Sequence, residues 1–233
     1  MSTGQALVVA KAPAVGEVKT RLGAAIGMAA AAEIAAASLL DTLAACRAAF
    51  GVESCHLALA GDLAHAVRRD ELATALAGWT LRPQLGADFA ERLMRAHLDL
   101  VDAGGPVLQI GMDTPQVTPD LLLAAAGACR EHDAVLGPAP DGGWWLLGVR
   151  DPRDTRAARA LMGVPMSTPT TYADTRRALL DAGLDVGGTG ELADVDTVED
   201  AEAVAGLLGG GEGSSRFARA WDEIATTRRT PPA

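Results

Sequence analysis

Short apolar runs alternate with stretches of helical pattern along most of this chain, and that alternation limits the folds open to it. The runs are "ALVVA" (6–10), "CHLALA" (55–60), "PVLQIG" (106–111), "AVLGP" (134–138), "WWLLGV" (144–149) and a weaker one, "LDVGG" (184–188). Helical patterns lie between them, at about 28–49, 62–77, 88–103 and 118–131. Strands that alternate with helices predict a mainly parallel sheet covered on both faces. We therefore expect an α/β fold, a three-layer sandwich around a mainly parallel mixed sheet.

A glycine-rich segment, "GGGEGSS" (209–215), divides the chain. Its composition is typical of a flexible linker. We expect a single main domain over residues 1–208, the linker at 209–215, and a C-terminal helix and tail at 216–233. Apolar residues at helical spacing in that last segment predict that it packs on its own domain.

The charge balance argues against several kinds of partner. The 233 residues carry a formal net charge of -10. Binding to a polyanion depends on clustered Lys and Arg, so we expect neither a nucleic-acid partner nor a membrane partner. The most apolar stretch, "MAAAAEIAAASLL" (28–40), is mostly alanine and contains Glu33, which favours a helix packed on a sheet over a membrane span. The start of the chain shows no secretion signal, and we expect a cytoplasmic protein.

Both lysines of the chain lie in one loop. Lys11 and Lys19 follow the first apolar run and are the only lysines among 20 Lys and Arg residues. A bend at Pro13 and Gly16 would bring Lys11, Lys19 and Arg21 near one point just before a helix, which is a suitable place for a phosphate. The Walker pattern GxxxxGK[ST] is absent. The alternative is that both lysines are solvated surface residues.

Carboxylates follow two of the expected strands, and ligands of open α/β sheets bind beyond the carboxyl ends of strands. Asp113 follows "VLQI" after Gly111 and Met112. Beside a phosphate it would suit Mg²⁺ or Mn²⁺, and the alternative is that it caps a turn. Asp194 and Asp196 flank one valine, so on a strand both would point to one side. Thr197 and Asp200 predict a helix N-cap, a role that does not account for Asp194 and Asp196.

The stretch "DGGWW" (141–145) combines a carboxylate, two glycines and two indoles. The glycines would let the backbone approach a ligand while an indole offers a flat contact, although a tight turn with one core tryptophan is the alternative. The histidines have no metal-ligand spacing, and no Ser, His and Asp set is visible. The 3 cysteines lack CxxC spacing, so we expect free thiols.

Five blocks of sequence together resemble one bacterial family. They are "KAPAVGEVKTRL", "IGMDTPQVTPDLL", "LGPAPDGGWWLLGV", "MSTPTTYADT" and "DVDTVED", spread over about residues 5–207. The family is that of the glycosyltransferase-A-fold transferases associated with radical-SAM or arsenosugar gene clusters. The loop and the aspartates are also similar to nucleotidyltransferases of that superfold, such as phospholactate guanylyltransferase and the molybdenum-cofactor nucleotidyltransferases. The resemblance implies a Rossmann-like glycosyltransferase-A (nucleotide-diphospho-sugar transferase) fold, with residues 1–208 as its catalytic domain.

The resemblance also implies roles for individual residues. A nucleotide would lie over the end of the first strand and contact the loop residues Lys11, Pro13, Gly16, Lys19, Thr20 and Arg21. A divalent ion, Mg²⁺ or Mn²⁺, would be held by Asp113, Asp194 and Asp196. The acceptor would contact Gly142, Gly143, Trp144, Ser167 and Thr168. The catalytic residues would be Lys19, Asp113 and Asp141.

One departure from the family pattern concerns the metal. Glycosyltransferases of this fold carry two aspartates separated by one residue, whereas "GMDTP" has only Asp113. The departure weakens the sugar-nucleotide interpretation, or it assigns the second carboxylate to Asp194 and Asp196.

Two reactions are compatible with these residues. In glycosyl transfer, a small-molecule acceptor attacks the sugar of a nucleotide-sugar donor, with Asp141 as a candidate general base. In nucleotidyl transfer, a phosphorylated acceptor attacks the α-phosphorus of a nucleoside triphosphate, and pyrophosphate leaves toward Lys19 and Arg21. The family resemblance favours the first reaction and the cationic loop favours the second. A nucleotide-binding protein without catalysis is the third alternative, and the oligomeric state is not predicted.

Overall fold

The computed structural model describes residues 4–209 and 215–229, and within these ranges the chain forms one seven-stranded sheet and nine α-helices. The strands are β1 (Gln5–Lys11), β2 (Cys55–Ala60), β3 (Thr80–Pro83), β4 (Val107–Gly111), β5 (Ala134–Pro138), β6 (Trp144–Val149) and β7 (Val186–Gly188). The helices are α1 (Thr20–Ile26), α2 (Met28–Phe50), α3 (Arg69–Ala75), α4 (Phe89–Leu98), α5 (Pro119–Ala128), α6 (Arg156–Ala160), α7 (Thr171–Asp181), α8 (Val198–Leu208) and α9 (Arg216–Arg229). Residues 210–214 of the predicted linker lie outside the described ranges.

The sheet has the strand order β3-β2-β1-β4-β6-β5-β7. Strand β6 runs antiparallel to β4 and β5, and the other described pairs are parallel. The predicted α/β class with a mainly parallel mixed sheet is therefore confirmed. Strand order reverses beside β1, and in open α/β sheets such a switch point carries the ligand crevice at the carboxyl ends of the strands.

Alternate residues of the central strands point to opposite faces of the sheet and pack in two apolar layers, which makes the fold a three-layer sandwich. On one face, Val8 and Leu108 pack against α2, α3 and α5. On the other face, Leu7 and Val107 pack against α4, α6 and α7. Both faces of the sheet are covered, so its central strands contain almost no polar residue, and Gln109 of β4 is an exception.

Helix α2 has the length and composition of a membrane span but lies in the protein interior. Among the described helices, only α2 is long and apolar enough to cross a membrane, and 72% of its most apolar 18-residue stretch is buried inside the protein. Its alanines allow it to approach the sheet closely on one side and helices α8 and α9 on the other. The prediction of a helix packed on the sheet is confirmed.

The structure also differs from the expected elements. The helical pattern at 62–77 is divided into a 3₁₀ turn, Leu63–His65, and the short helix α3. The short helices α1 and α6, together with β3, had no sequence signal. Strand β3 is four exposed residues ending in proline at the sheet edge, so it shows no apolar alternation.

Helix α9 packs on the main domain through its apolar face. Phe217 is fully buried against α2 and α8, and Trp221 is 4% exposed. The carboxylate of Asp41 on α2 accepts hydrogen bonds from the backbone N–H groups of Arg216 (3.1 Å) and Phe217 (2.9 Å). Asp41 thus caps the start of α9 and fixes its position on α2.

We predict that Phe217→Ala lowers the free energy of unfolding by about 3–5 kcal/mol, because it leaves a cavity between three helices. Urea unfolding measures this loss. Leu207→Ala is the control, since Leu207 is 79% exposed and its truncation should change stability by less than about 0.5 kcal/mol. Equal effects of the two substitutions would show that α9 does not pack as described.

Candidate functional site

The ammonium group of Lys19 is held between two carboxylates. Its Nζ lies 2.8 Å from Oδ1 of Asp113 and 2.7 Å from Oδ1 of Asp196. The Lys19 side chain is only 6% exposed. Its backbone is left-handed, with φ 49° just before α1, a strained conformation that persists only where the surroundings hold it.

The other two cations of this loop behave differently from one another. Arg21 pairs with Oδ2 of Asp196, so both carboxylate oxygens of Asp196 contact a cation. Lys11 instead turns back on its own loop, with Nζ 2.9 Å from the carbonyl oxygen of Glu17. Of the three cations expected near one point, Lys19 and Arg21 converge there and Lys11 pairs elsewhere.

The acidic residues are positioned by two loops that bind each other. The backbone N–H of Val195 donates to the carbonyl oxygen of Asp113 at 3.0 Å, which joins the loop after β4 to the segment before α8. Val195 is fully buried, and Asp194 and Asp196 on either side of it both line the cleft, as predicted, although this segment is not a strand. The predicted N-cap of α8 is confirmed as a capping box between Thr197 and Asp200.

Charge is unevenly balanced among these groups. Burial alone would lower the pKa of Lys19, but Asp113 and Asp196 outweigh it and raise that pKa. Burial raises the pKa of Asp194 to about 6, and the neighbouring charges of Asp141 and Asp196 contribute to the rise. Burial would raise the pKa of Asp196, but the charges of Lys19 and Arg21 outweigh it and hold that pKa below its usual value. The charge of Lys19 only partly offsets these effects at Asp194.

Across the cleft, the "DGG" turn packs against the loop before α7. Oδ1 of Asp141 accepts a hydrogen bond from the backbone N–H of Gly143 at 2.8 Å. Gly142 has φ +88°, and a Cβ there would overlap the carbonyl oxygen of Pro169. Ser167 has a left-handed backbone, with φ 59°. Strained or glycine-dependent backbone at this rim is typical of a functional site.

These groups surround one cleft of about 660 Å³. The predicted residues that line it are Lys11, Arg21, Asp113, Asp141, Gly143, Trp144, Ser167, Thr168, Asp194 and Asp196. Pro13, Gly16, Lys19, Thr20 and Gly142 are not among the described lining residues; Lys19 lies behind the carboxylates, and Gly142 supports the rim. The cleft also contains residues that the sequence analysis did not select, including Phe89, Arg92 and Gln109. Gln109 had one signal, a lone polar residue inside an apolar run.

The carboxylates provide suitable donors for a divalent ion, but they are not arranged as a finished site. Within the described ranges, no three His, Cys, Asp or Glu side chains are placed to hold a metal ion as they stand. Asp196 pairs with Lys19 and Arg21, and Asp113 also pairs with Lys19. Asp113 and Asp194 offer hard oxygen donors in a region of surplus negative charge, which is the chemistry that Mg²⁺ and Mn²⁺ require. The chemistry of Asp113 and Asp194 is thus compatible with such an ion.

Comparison with known proteins identifies the family of this chain. Residues 42–168 match the DUF2064 family, described as an uncharacterized protein conserved in bacteria. The chain belongs to this family. The matched region contains Asp113, Asp141 and the rim residues Ser167 and Thr168, whereas Lys19 and Asp196 lie outside it. No curated protein matches the chain.

Three solved structures have a similar fold. A protein from Desulfovibrio desulfuricans G20, provisionally assigned as a nucleotide-diphospho-sugar transferase, has 28% identity and a TM-score of 0.82, over 97% of this chain and 98% of its own. A cytidylyltransferase from Leptospira borgpetersenii serovar Hardjo-bovis has 11% identity and a TM-score of 0.55, over 100% of both chains. Rv0371C from Mycobacterium tuberculosis H37Rv, in complex with manganese, has 16% identity and a TM-score of 0.51, over 85% of this chain and 96% of its own. The predicted nucleotide-diphospho-sugar transferase fold is confirmed.

We predict that Lys19→Met lowers the free energy of unfolding by about 1–3 kcal/mol, because it leaves two partly buried carboxylates without their ammonium partner. In a double-mutant cycle with Asp196→Asn, the stability lost by the double mutant should differ from the sum of the two single-mutant losses by about 0.5–3 kcal/mol. Urea unfolding of the four proteins measures the coupling.

The exposed pair Arg69 and Asp70 is the matched control, with side chains 61% and 92% exposed. Exposed pairs couple by only about 0.2–1 kcal/mol. Additive losses at Lys19 and Asp196 would mean that the buried ion pair does not form in solution.

Proposed function

We propose that this protein is a metal-dependent transferase that uses a nucleotide, and that it transfers a glycosyl group from a nucleotide-sugar donor to a small-molecule acceptor. The observation that carries this proposal is the Lys19, Asp113 and Asp196 cluster at the carboxyl ends of β1 and β4, at the switch point of the sheet. Support also comes from the similarity to the Desulfovibrio protein over almost the whole chain.

Phosphates of the donor would lie at the loop after β1. Arg21 lines the cleft and is 74% exposed, so its guanidinium is available to a phosphate. To contact the same phosphate, the ammonium group of Lys19 would break at least one of its two ion pairs with carboxylates. Lys11 would add a third charge at the mouth, while Pro13, Gly16 and Thr20 shape the loop and have no direct contact with the cleft.

A divalent ion would be held by Asp113 and Asp194, and the manganese complex of a protein with this fold supports its use. When bound, it would neutralise negative charge that develops on the leaving phosphate. The protein's own part is to keep Asp113 in place through Val195 and to supply Lys19 and Arg21 on the same side.

The acceptor would enter between the "DGG" turn and the loop before α7. Asp141 lines this side and can remove the acceptor's proton, since its carboxylate faces the cleft. Gly142, Gly143 and Trp144 would contact the acceptor from one side, and Ser167 and Thr168 from the other.

Nucleotidyl transfer from a nucleoside triphosphate to a phosphorylated acceptor is the second candidate. It is favoured by the two cations that converge at the loop, Lys19 and Arg21, and by the similarity to a cytidylyltransferase. In that reaction Lys19 and Arg21 would stabilise the departing pyrophosphate. The cytoplasmic location and the radical-SAM or arsenosugar association stay predictions.

A thermal-shift panel separates these candidates. Nucleoside triphosphates, nucleoside diphosphates and nucleotide sugars are each tested with and without Mg²⁺ or Mn²⁺, at about 100 times Kd, where binding adds roughly 2.7 kcal/mol. Stabilisation by a nucleotide sugar and its diphosphate indicates glycosyl transfer. Stabilisation by one triphosphate and by no nucleotide sugar indicates nucleotidyl transfer. If no nucleotide binds, the proposed function is wrong.

Asp113→Asn should abolish both turnover and the metal-dependent part of the thermal shift, because it removes a charge from the metal site. Asp70→Asn is the control, since the Asp70 side chain is 92% exposed and lies outside the cleft. An Asp113→Asn protein that retains full turnover would rule out Asp113 as a metal ligand. Nucleotide binding that survives in both variants without any turnover in the parent would favour the non-catalytic alternative.

A further inference from the structure

One side chain in the floor of the cleft has no partner. Gln109 on β4 is 1% exposed and lines the cleft. Its strand neighbours across the register are Leu7 of β1 and Leu147 of β6, both in the apolar layer beneath α4 and α7. An amide at this central position therefore interrupts an otherwise apolar surface.

Neither polar atom of that amide has a partner in good hydrogen-bond geometry. Both Nε2 and Oε1 of Gln109 are buried without such a partner among the described residues. The imidazole of His97 on α4 lies close enough to interact with the Gln109 side chain, yet the Nε2 of His97 also has no partner in good hydrogen-bond geometry. A buried polar group left unpaired is costly, which is why native interiors contain few of them.

The other glutamine in the cleft shows what a structural role looks like. Gln84 lines the same cleft, but its Nε2 donates to the carbonyl oxygens of Ala10 (2.8 Å) and Ala58 (3.0 Å). Gln84 therefore joins two strands, whereas Gln109 joins nothing. The difference indicates that Gln109 is kept for a group that is absent from the free protein.

The surroundings define the chemistry of that group. Burial lowers the pKa of His97 to about 4, although Gln109 partly opposes this, so the imidazole is uncharged at neutral pH. Leu93, Met166 and Trp144 form apolar walls, and the Trp144 indole is fixed by its hydrogen bond to Oγ1 of Thr175 at 3.2 Å. A neutral amide with one donor and one acceptor, beside a flat indole, suits a hydroxyl group on a ring with apolar C–H faces.

We propose that Gln109 is the specificity residue for the hydroxylated ring, such as a hexose, that is attached to the nucleotide's phosphate. The ring's hydroxyl groups accept from Nε2 and donate to Oε1, and its C–H face lies on Trp144. This inference rests on the proposed function, because it requires a nucleotide phosphate at the Lys19 end of the same cleft. It applies to both candidate reactions: the ring belongs to the donor in glycosyl transfer and to the acceptor in nucleotidyl transfer.

Stability of the free protein gives the first test. Gln109→Met keeps the length of the side chain and removes its two polar atoms, so the melting temperature without ligand should rise by at least about 2 °C. Gln5→Met on β1 is the matched control, because Oε1 of Gln5 accepts from His56 Nε2 at 3.0 Å and Nε2 of Gln5 donates to the carbonyl oxygen of Gly104 at 3.1 Å. That control should melt lower than the parent. A lower melting temperature for both Gln109→Met and Gln109→Leu would mean that Gln109 has a structural role and would overturn the inference.

Binding gives the second test. Isothermal titration is run with UDP, ADP, GDP, CDP and TDP, each alone and with an attached glucose or mannose, in the presence of Mn²⁺. In the parent, at least one sugar conjugate should bind more tightly than its diphosphate. The Gln109→Met variant should bind the sugar conjugate roughly 10- to 100-fold more weakly than the parent does, and it should bind the diphosphate with the affinity of the parent.

The outcomes separate this inference from the proposed function. If a diphosphate binds and the sugar adds the same increment in the parent and in Gln109→Met, or adds none in the parent, the inference is wrong and the nucleotide site stands. If no nucleotide binds the parent, the proposed function is wrong and the assignment of Gln109 fails with it. The Gln5→Met control should bind every ligand as the parent does.

Discussion

The ion pairs of the buried Lys19 ammonium connect the parts of this protein that define its cleft. Lys19, Asp113 and Asp196 belong to three segments far apart in the chain, and they meet within 2.8 Å. A buried ammonium is costly unless carboxylates pair with it. The loop after β1, the loop after β4 and the segment before α8 are therefore held at one edge of the sheet. The left-handed backbone of Lys19 persists under this constraint.

The cleft that results has two chemically different ends. At the edge of the sheet, four aspartates and Arg21 line the cleft, and burial together with the charges of Asp141 and Asp196 raises the pKa of Asp194. Deeper in the cleft, Gln109 lies in an uncharged floor lined by apolar and aromatic side chains. Such a division suits a ligand with a charged phosphate part and an uncharged ring. Crowded carboxylates and an unpaired amide lower the stability of the free protein, which is the usual cost of a site prepared for a ligand.

Much of the fold could be predicted because the evidence for it is local. Strands β2, β5 and β6 coincide with their apolar runs, and the N-cap of α8 was visible as the pair Thr197 and Asp200. Part of the cleft was also predictable, since strand ends in an α/β sheet meet at one edge. Strand β3 and helix α6 were missed because they are short and are stabilised by neighbours that are distant in sequence.

By itself, the sequence determined the α/β class, most of the strands and the residue types available for phosphate and metal chemistry, because periodicity and side-chain chemistry are properties of the chain alone. The tertiary structure decided which charges pair. Lys19 and Asp113, assigned separately to phosphate and metal, proved to bind each other, while Lys11 turned to Glu17. It also decided that Gln109 lies in the cleft floor with no described partner in good hydrogen-bond geometry. Such pairings depend on distances between residues far apart in sequence, which only the folded chain specifies.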